Sequence, residues 1–187
     1  MKAREITIIA TCVACICISA WLAVSIGNVT ITMQTAAICL IAGLFGAKRA
    51  VISVLGYLII GGIGLPVFAG FSGGVSRLVS PMGGFLVGFL GLALVVGWVA
   101  DITRKREKNS VMLVCSMVLG MALCYFVGAL WFVALSLQNG DGIEFSLLFT
   151  TCVLPYLPFD LLKLGLATCL VEKMKKILSP GLFNTLT

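Results

Sequence analysis

The sequence predicts an all-α integral membrane protein, a bundle of six transmembrane helices with both termini in the cytoplasm. Two observations carry the class: of 187 residues only 11% are charged and 60% are hydrophobic, and the mean hydropathy is +1.17. Soluble domains carry roughly 25% charged residues, so this chain cannot clothe a water-facing surface. A third observation, cations clustered between the apolar runs, sets the orientation. A spanning helix takes about 20 apolar residues, so six of them occupy about 120 positions and leave no room for a sizeable soluble domain.

The apolar runs, in order, are residues 6–27, 34–47, 50–64, 81–102, 110–137 and 145–170, together one membrane domain over 1–187. The first is span-length and continues into the bundle, which argues against a cleavable signal peptide. The second and third are each shorter than a bilayer and read as separate, merged or re-entrant. A Gly-rich loop with Pro66 precedes the fourth, and Pro155 and Pro158 lie inside the sixth.

Lys and Arg accumulate in short cytoplasmic loops. With the N-terminus inside, Lys2, Arg4, Lys48, Arg49, Arg104, Lys105, Arg106, Lys108, Lys173, Lys175 and Lys176 all fall on the cytoplasmic side, 11 of 13 cations. The outward loops keep Arg77 alone, beside the anions Asp141 and Glu144. Such placement leaves no basic face for nucleic acid.

The chain contains no His, which removes the usual general base and the commonest metal ligand. No phosphate-binding GxxxxGK[ST] loop occurs, so any ATP-driven work belongs to another subunit. The expectation is a non-enzyme without cofactor or metal. Eight cysteines fall within the apolar runs, where small apolar packing accounts for them, the CxxC of Cys12 and Cys15 included.

Two embedded charges, Asp160 and Lys163, are the leading candidates for function. Spaced i, i+3, they project from one helix face, and charges at such depth mark a ligand or ion path. A structural ion pair is the competing reading. A carboxylate beside an ammonium offers acceptor and donor together, which suits a neutral polar head group such as an amide or urea. The run Gly61-Gly62-Ile63-Gly64-Leu65-Pro66, continuing through Gly70, Gly73 and Gly74, permits sharp turns and reads as a lid or as plain tight packing. Thr32, Gln34 and Thr35 line the same outward pocket or cap the second run. Tyr125, Trp98 and Trp131 read first as packing or interface residues, with Tyr125 also carried as a ligand contact. On the first run, Ala10 and Ala14 form a small-xxx-small pattern that admits another helix at close range.

Four blocks in order, Thr32-Met33-Gln34-Thr35, Gly64-Leu65-Pro66-Val67-Phe68-Ala69-Gly70 with Gly73-Gly74, Pro81-Met82-Gly83-Gly84-Phe85-Leu86-Val87-Gly88-Phe89 and Pro158-Phe159-Asp160-Leu161-Leu162-Lys163, resemble the BioY family. These are the biotin-binding S components of energy-coupling-factor (ECF) vitamin transporters. The resemblance implies a six-helix protein of a bacterial-type cell membrane that captures biotin from outside. It further implies docking, through Ala10 and Ala14, on a transmembrane coupling subunit that carries two ATPases. Biotin's ureido ring presents N–H donors for Asp160 and a carbonyl for Lys163. Gln34, Thr32, Gly70 and Tyr125 complete the expected site, and Arg77 is the candidate for the tail carboxylate. The alternative is a stand-alone secondary carrier of a small polar-headed metabolite with Asp160 and Lys163 coupling protons; the inverted repeat expected of many such carriers is not visible.

Overall fold

The computed structural model describes residues 3–26, 29–103, 110–139 and 156–177. In chain order they form α1 (Ala3–Trp21), β1 (Ala23–Ile26), β2 (Val29–Thr32), α2 (Gln34–Gly62), α3 (Val75–Val79), α4 (Gly83–Thr103), α5 (Ser110–Asn139) and α6 (Leu157–Ile177). Among the described residues, α1, α2, α4 and α5 are long and apolar enough to cross a membrane.

The first helix ends at Trp21, short of the expected Gly27. Beyond it the chain pairs as an antiparallel hairpin, Ala23 opposite Thr32 and Ile26 opposite Val29. Short apolar runs rich in Val and Ile do not distinguish strand from helix by pattern alone. The hairpin also finishes the helix, because the Met33 N–H reaches the carbonyls of Ser19 and Leu22, both at 3.2 Å, which satisfies acceptors left over at a helix C-terminus.

The second and third apolar runs turn out to be two arms of α2. Gly46 breaks the helix with φ 80° and ψ 177°, a conformation that L side chains resist. The arms then run back along each other: the Gln34 side-chain amide donates to the Tyr57 hydroxyl at 2.7 Å across 23 residues, which an unbroken helix would hold about 34 Å apart. Asp101 at the end of α4 stabilises the reversal, its carboxylate accepting from the Ala47 N–H at 3.0 Å. A Cβ on Gly46 would fall 2.1 Å from the same carboxylate. Asp101→Ala is therefore expected to lower unfolding free energy by about 1 kcal/mol, the usual cost of losing an N-terminal cap. Gly46→Ala should cost more, since it combines strain with a clash. Thermal unfolding of the detergent-purified chain checks both the sign and the order.

The expected sixth span, 145–170, lies outside the described residues up to 155. The described helix α6 continues to Ile177, through Glu172, Lys173, Lys175 and Lys176. Pro158 occupies its first turn, where a missing N–H has no intrahelical role, so it makes no internal kink; Pro155 is outside the described residues. Elsewhere, α4 and α5 approach closely because Gly88 faces the Cys124 backbone: a Cβ there would lie 2.9 Å from the Cys124 carbonyl oxygen.

Contacts fix which ends lie together. Glu5 pairs with Arg49 at 3.7 Å, Asp101 meets Ala47, and Gly43 abuts Val171 and Leu113. The start of α1, the α2 reversal, the end of α4, the start of α5 and the end of α6 thus share one end of the bundle. Arg4, Lys48, Arg49, Lys173, Lys175 and Lys176 belong to that end. The other end holds the hairpin, the Gly-rich loop with Arg77, and a cavity.

Candidate binding site

The cavity measures about 510 Å³ and collects side chains from every long helix. Gln34, Thr32, Gly70, Arg77, Tyr125, Asp160 and Lys163, the seven candidate ligand residues of the sequence, all line it. Its walls are mainly apolar, with Phe85, Leu86 and Phe89 from α4 and Met121 from α5, which is how small-molecule sites combine bulk apolar contact with a few polar groups.

Asp160 and Lys163 lie at its depth, 6% and 7% exposed. Because α6 carries them three residues apart, Lys163 Nζ donates to Asp160 Oδ1 at 2.8 Å. Two other helices complete the carboxylate's shell: the Thr35 hydroxyl donates to Oδ1 at 3.4 Å and the Tyr125 hydroxyl donates to Oδ2. A buried ion pair persists only when such hydrogen bonds satisfy both charges. The pair is not saturated, however. A carboxylate offers about four acceptor positions and an ammonium three donors; three and one are used, which leaves an acceptor and two donors for a ligand.

Gln34, 3% exposed, is held at both ends of its amide. It donates to Tyr57 and accepts from the Thr32 hydroxyl at 3.2 Å. The residue capping α2 is Met33, with no side-chain cap bond, so of the two readings of Thr32, Gln34 and Thr35 the structure favours the cavity-lining one.

The Gly-rich loop covers the mouth. Gly70 and Phe71 adopt φ 70° and 54° in succession, a turn that lets the Phe68 N–H reach the Ser72 carbonyl at 2.9 Å. No atom lies within 4 Å of a Cβ on Gly70, so its backbone angle, not close approach, calls for glycine there. Two aromatic contacts fasten this turn. Phe68 is buried edge-on against Tyr57, centroids 5.3 Å apart. Phe71 stacks on Trp21, also at 5.3 Å, and the Trp21 indole N–H donates to the Pro66 carbonyl at 2.9 Å. Arg77, on α3, is exposed at the rim.

Sequence reasoning missed Trp21, Phe68 and Phe71 as parts of the site. Their only signal is an aromatic at a helix end and two in a Gly-rich loop, which a membrane-interface role explains equally well. Trp131 instead ties α5 to the loop's end, donating to the Ser80 carbonyl at 3.1 Å, and Trp98 is exposed on α4.

Ala10 and Ala14 lie away from the cavity, both exposed on α1. Their neighbours Thr7 and Thr11 turn their hydroxyls back onto Ala3 and Thr7 carbonyls, at 3.1 and 2.9 Å, so the face presents methyl groups with its polar atoms already bonded. Seven of the eight cysteines are described, all as free thiols; Cys152 is outside the described residues.

The BioY family model matches residues 1–180. A probable biotin transporter BioY of Pyrococcus horikoshii is 30% identical over 175 residues, 94% of this chain and 98% of that protein. The biotin transporter BioY of Thermotoga maritima is 31% identical over 166 residues, 88% and 91% of the two chains. Among solved structures, the S-component for biotin from an ECF-type ABC transporter, a crystal structure at 2.1 Å, aligns with a TM-score of 0.79 at 29% identity over 94% of this chain and 92% of that one. Similarity in sequence and fold along nearly the whole length leads to one conclusion: the chain belongs to the BioY family.

Proposed function

We propose that this chain is the substrate-binding subunit for biotin uptake, capturing the vitamin from outside the cell and delivering it with an ATP-driven coupling module. The carrying observation is a covered, apolar cavity with one carboxylate–ammonium pair at its depth. Asp160 has an acceptor position for a ureido N–H, and Lys163 has donors for the ureido carbonyl. Tyr125 and Thr35 hold the carboxylate, Gln34 and Thr32 line the wall, the aromatic side chains enclose the thioether ring and aliphatic tail, and Arg77 at the rim meets the tail carboxylate. The relatives named for biotin support the same ligand.

In this reading the bundle has six membrane helices, the two arms of α2 counting separately, in a bacterial-type cell membrane. The cation-rich end with both termini faces the cytoplasm, as the positive-inside rule requires, and the cavity opens outward. Coupling runs through Ala10 and Ala14 to a transmembrane subunit with two ATPases.

Two experiments test this. Isothermal titration of the purified chain should give saturable biotin binding at one site per chain with no ATP hydrolysis; absence of binding by a folded, monodisperse preparation would overturn the assignment. In a Cys-free background, an impermeant maleimide added to intact cells should label Arg77→Cys and spare Lys176→Cys. Labelling of Lys176→Cys from outside would reverse the orientation.

A further inference from the structure

Remote from the cavity, α5 and α6 part to leave a groove of about 400 Å³, walled by Val114 and Val118 on one side and Leu161 and Leu164 on the other, and ending at Glu172. Gly165 also lines it, and a Cβ built there would meet no atom within 4 Å, so the groove is open space rather than a packed seam. The hydroxyl of Thr168, another lining residue, is already bonded to the Leu164 carbonyl at 2.8 Å. From Leu161 to Glu172 the groove follows α6 for about 16 Å at 1.5 Å per residue. That is about half of a ~30 Å hydrocarbon core, the depth of one leaflet. It runs out at the cation-rich end, where Lys173 and Lys176 are exposed. They lie one turn beyond Cys169 and Glu172, on the face that lines the groove.

We infer that this groove seats an acyl chain of an anionic glycerophospholipid, with Lys173 and Lys176 holding the phosphate. An ammonium and a lipid phosphate at the membrane surface form a charge-assisted contact. Glu172, at the mouth, repels a phosphate placed over it and accepts hydrogen bonds from hydroxyls, which selects a glycerol headgroup. The lipid then lies along the helix that carries Asp160, one residue from Leu161, but outside the biotin cavity, so the inference stands apart from the ligand assignment.

Native mass spectrometry of the full chain in mild detergent, offered phosphatidylglycerol and phosphatidylcholine with identical acyl chains in equal amounts, tests it. The parent should retain one phosphatidylglycerol in preference to phosphatidylcholine. Lys173→Gln/Lys176→Gln should weaken phosphatidylglycerol on the order of 30-fold, given about 1 kcal/mol per surface cation, and erase the preference. Gly165→Leu, which fills the groove, should abolish retention of both lipids. Biotin titration serves as the control for folding, since none of the three residues touches the cavity. Equal retention of the two lipids by the parent, or undiminished phosphatidylglycerol on either variant, overturns the inference. So does a dimer of this chain that Gly165→Leu dissociates, because a second copy would then occupy the groove.

Discussion

Lys163→Ala is expected to weaken biotin binding by at least tenfold to a hundredfold and to destabilise the fold at the same time. The hydrogen bond from a charged donor contributes about 1.5 to 3 kcal/mol to ligand affinity, and each 1.4 kcal/mol is tenfold. The folding cost has a separate origin. With Lys163 gone, a carboxylate that is 6% exposed keeps only the Thr35 and Tyr125 hydroxyls as partners, and breaking one member of a buried pair costs about 3 to 5 kcal/mol. Replacing both charges, as Asp160→Leu/Lys163→Met, separates the two effects. Apolar residues of similar volume restore stability at such sites, so the double variant should melt close to the parent yet still fail to bind biotin. If it regains both stability and parent-like affinity in a titration, the pair is purely structural and biotin is held elsewhere.

Ala10→Trp/Ala14→Trp is expected to leave biotin affinity unchanged and abolish ATP-driven uptake when the coupling subunits are co-expressed. Both alanines are exposed on α1, and the adjoining threonine hydroxyls are bonded to their own helix. Close helix association in lipid depends on backbone approach over small residues. Two indoles on that face hold a partner helix away, while the cavity, built from the other end of the bundle, is untouched. Radiolabelled biotin uptake by cells with matched membrane abundance of parent and variant decides it; equal uptake places the docking face elsewhere.

The membrane class, the order of the helices and the identity of the Asp160 and Lys163 pair were legible from the sequence because each depends on a local property. Hydropathy is read within a window, and an i, i+3 spacing fixes a shared helix face wherever that helix packs. The seven candidate ligand residues were likewise found as polar, aromatic or glycine positions at what became one end of the bundle. How they meet was not legible. Thr35 lies 125 residues from Asp160, and Tyr125 lies 35 residues away. Only the packing of α2 and α5 against α6 brings these hydroxyls to the carboxylate, which turns two embedded charges into a satisfied pair with ligand positions to spare. Gly46 shows the same division. Its residue type marks a place where the chain is free to break, but that the arms reverse, carrying Gln34 to Tyr57, is decided by Asp101 on another helix. The end of α1 at Trp21 and the Trp21–Phe71 stack across the mouth belong to tertiary structure too, because an apolar stretch satisfies a helix or a strand equally well until a neighbour accepts its backbone hydrogen bonds.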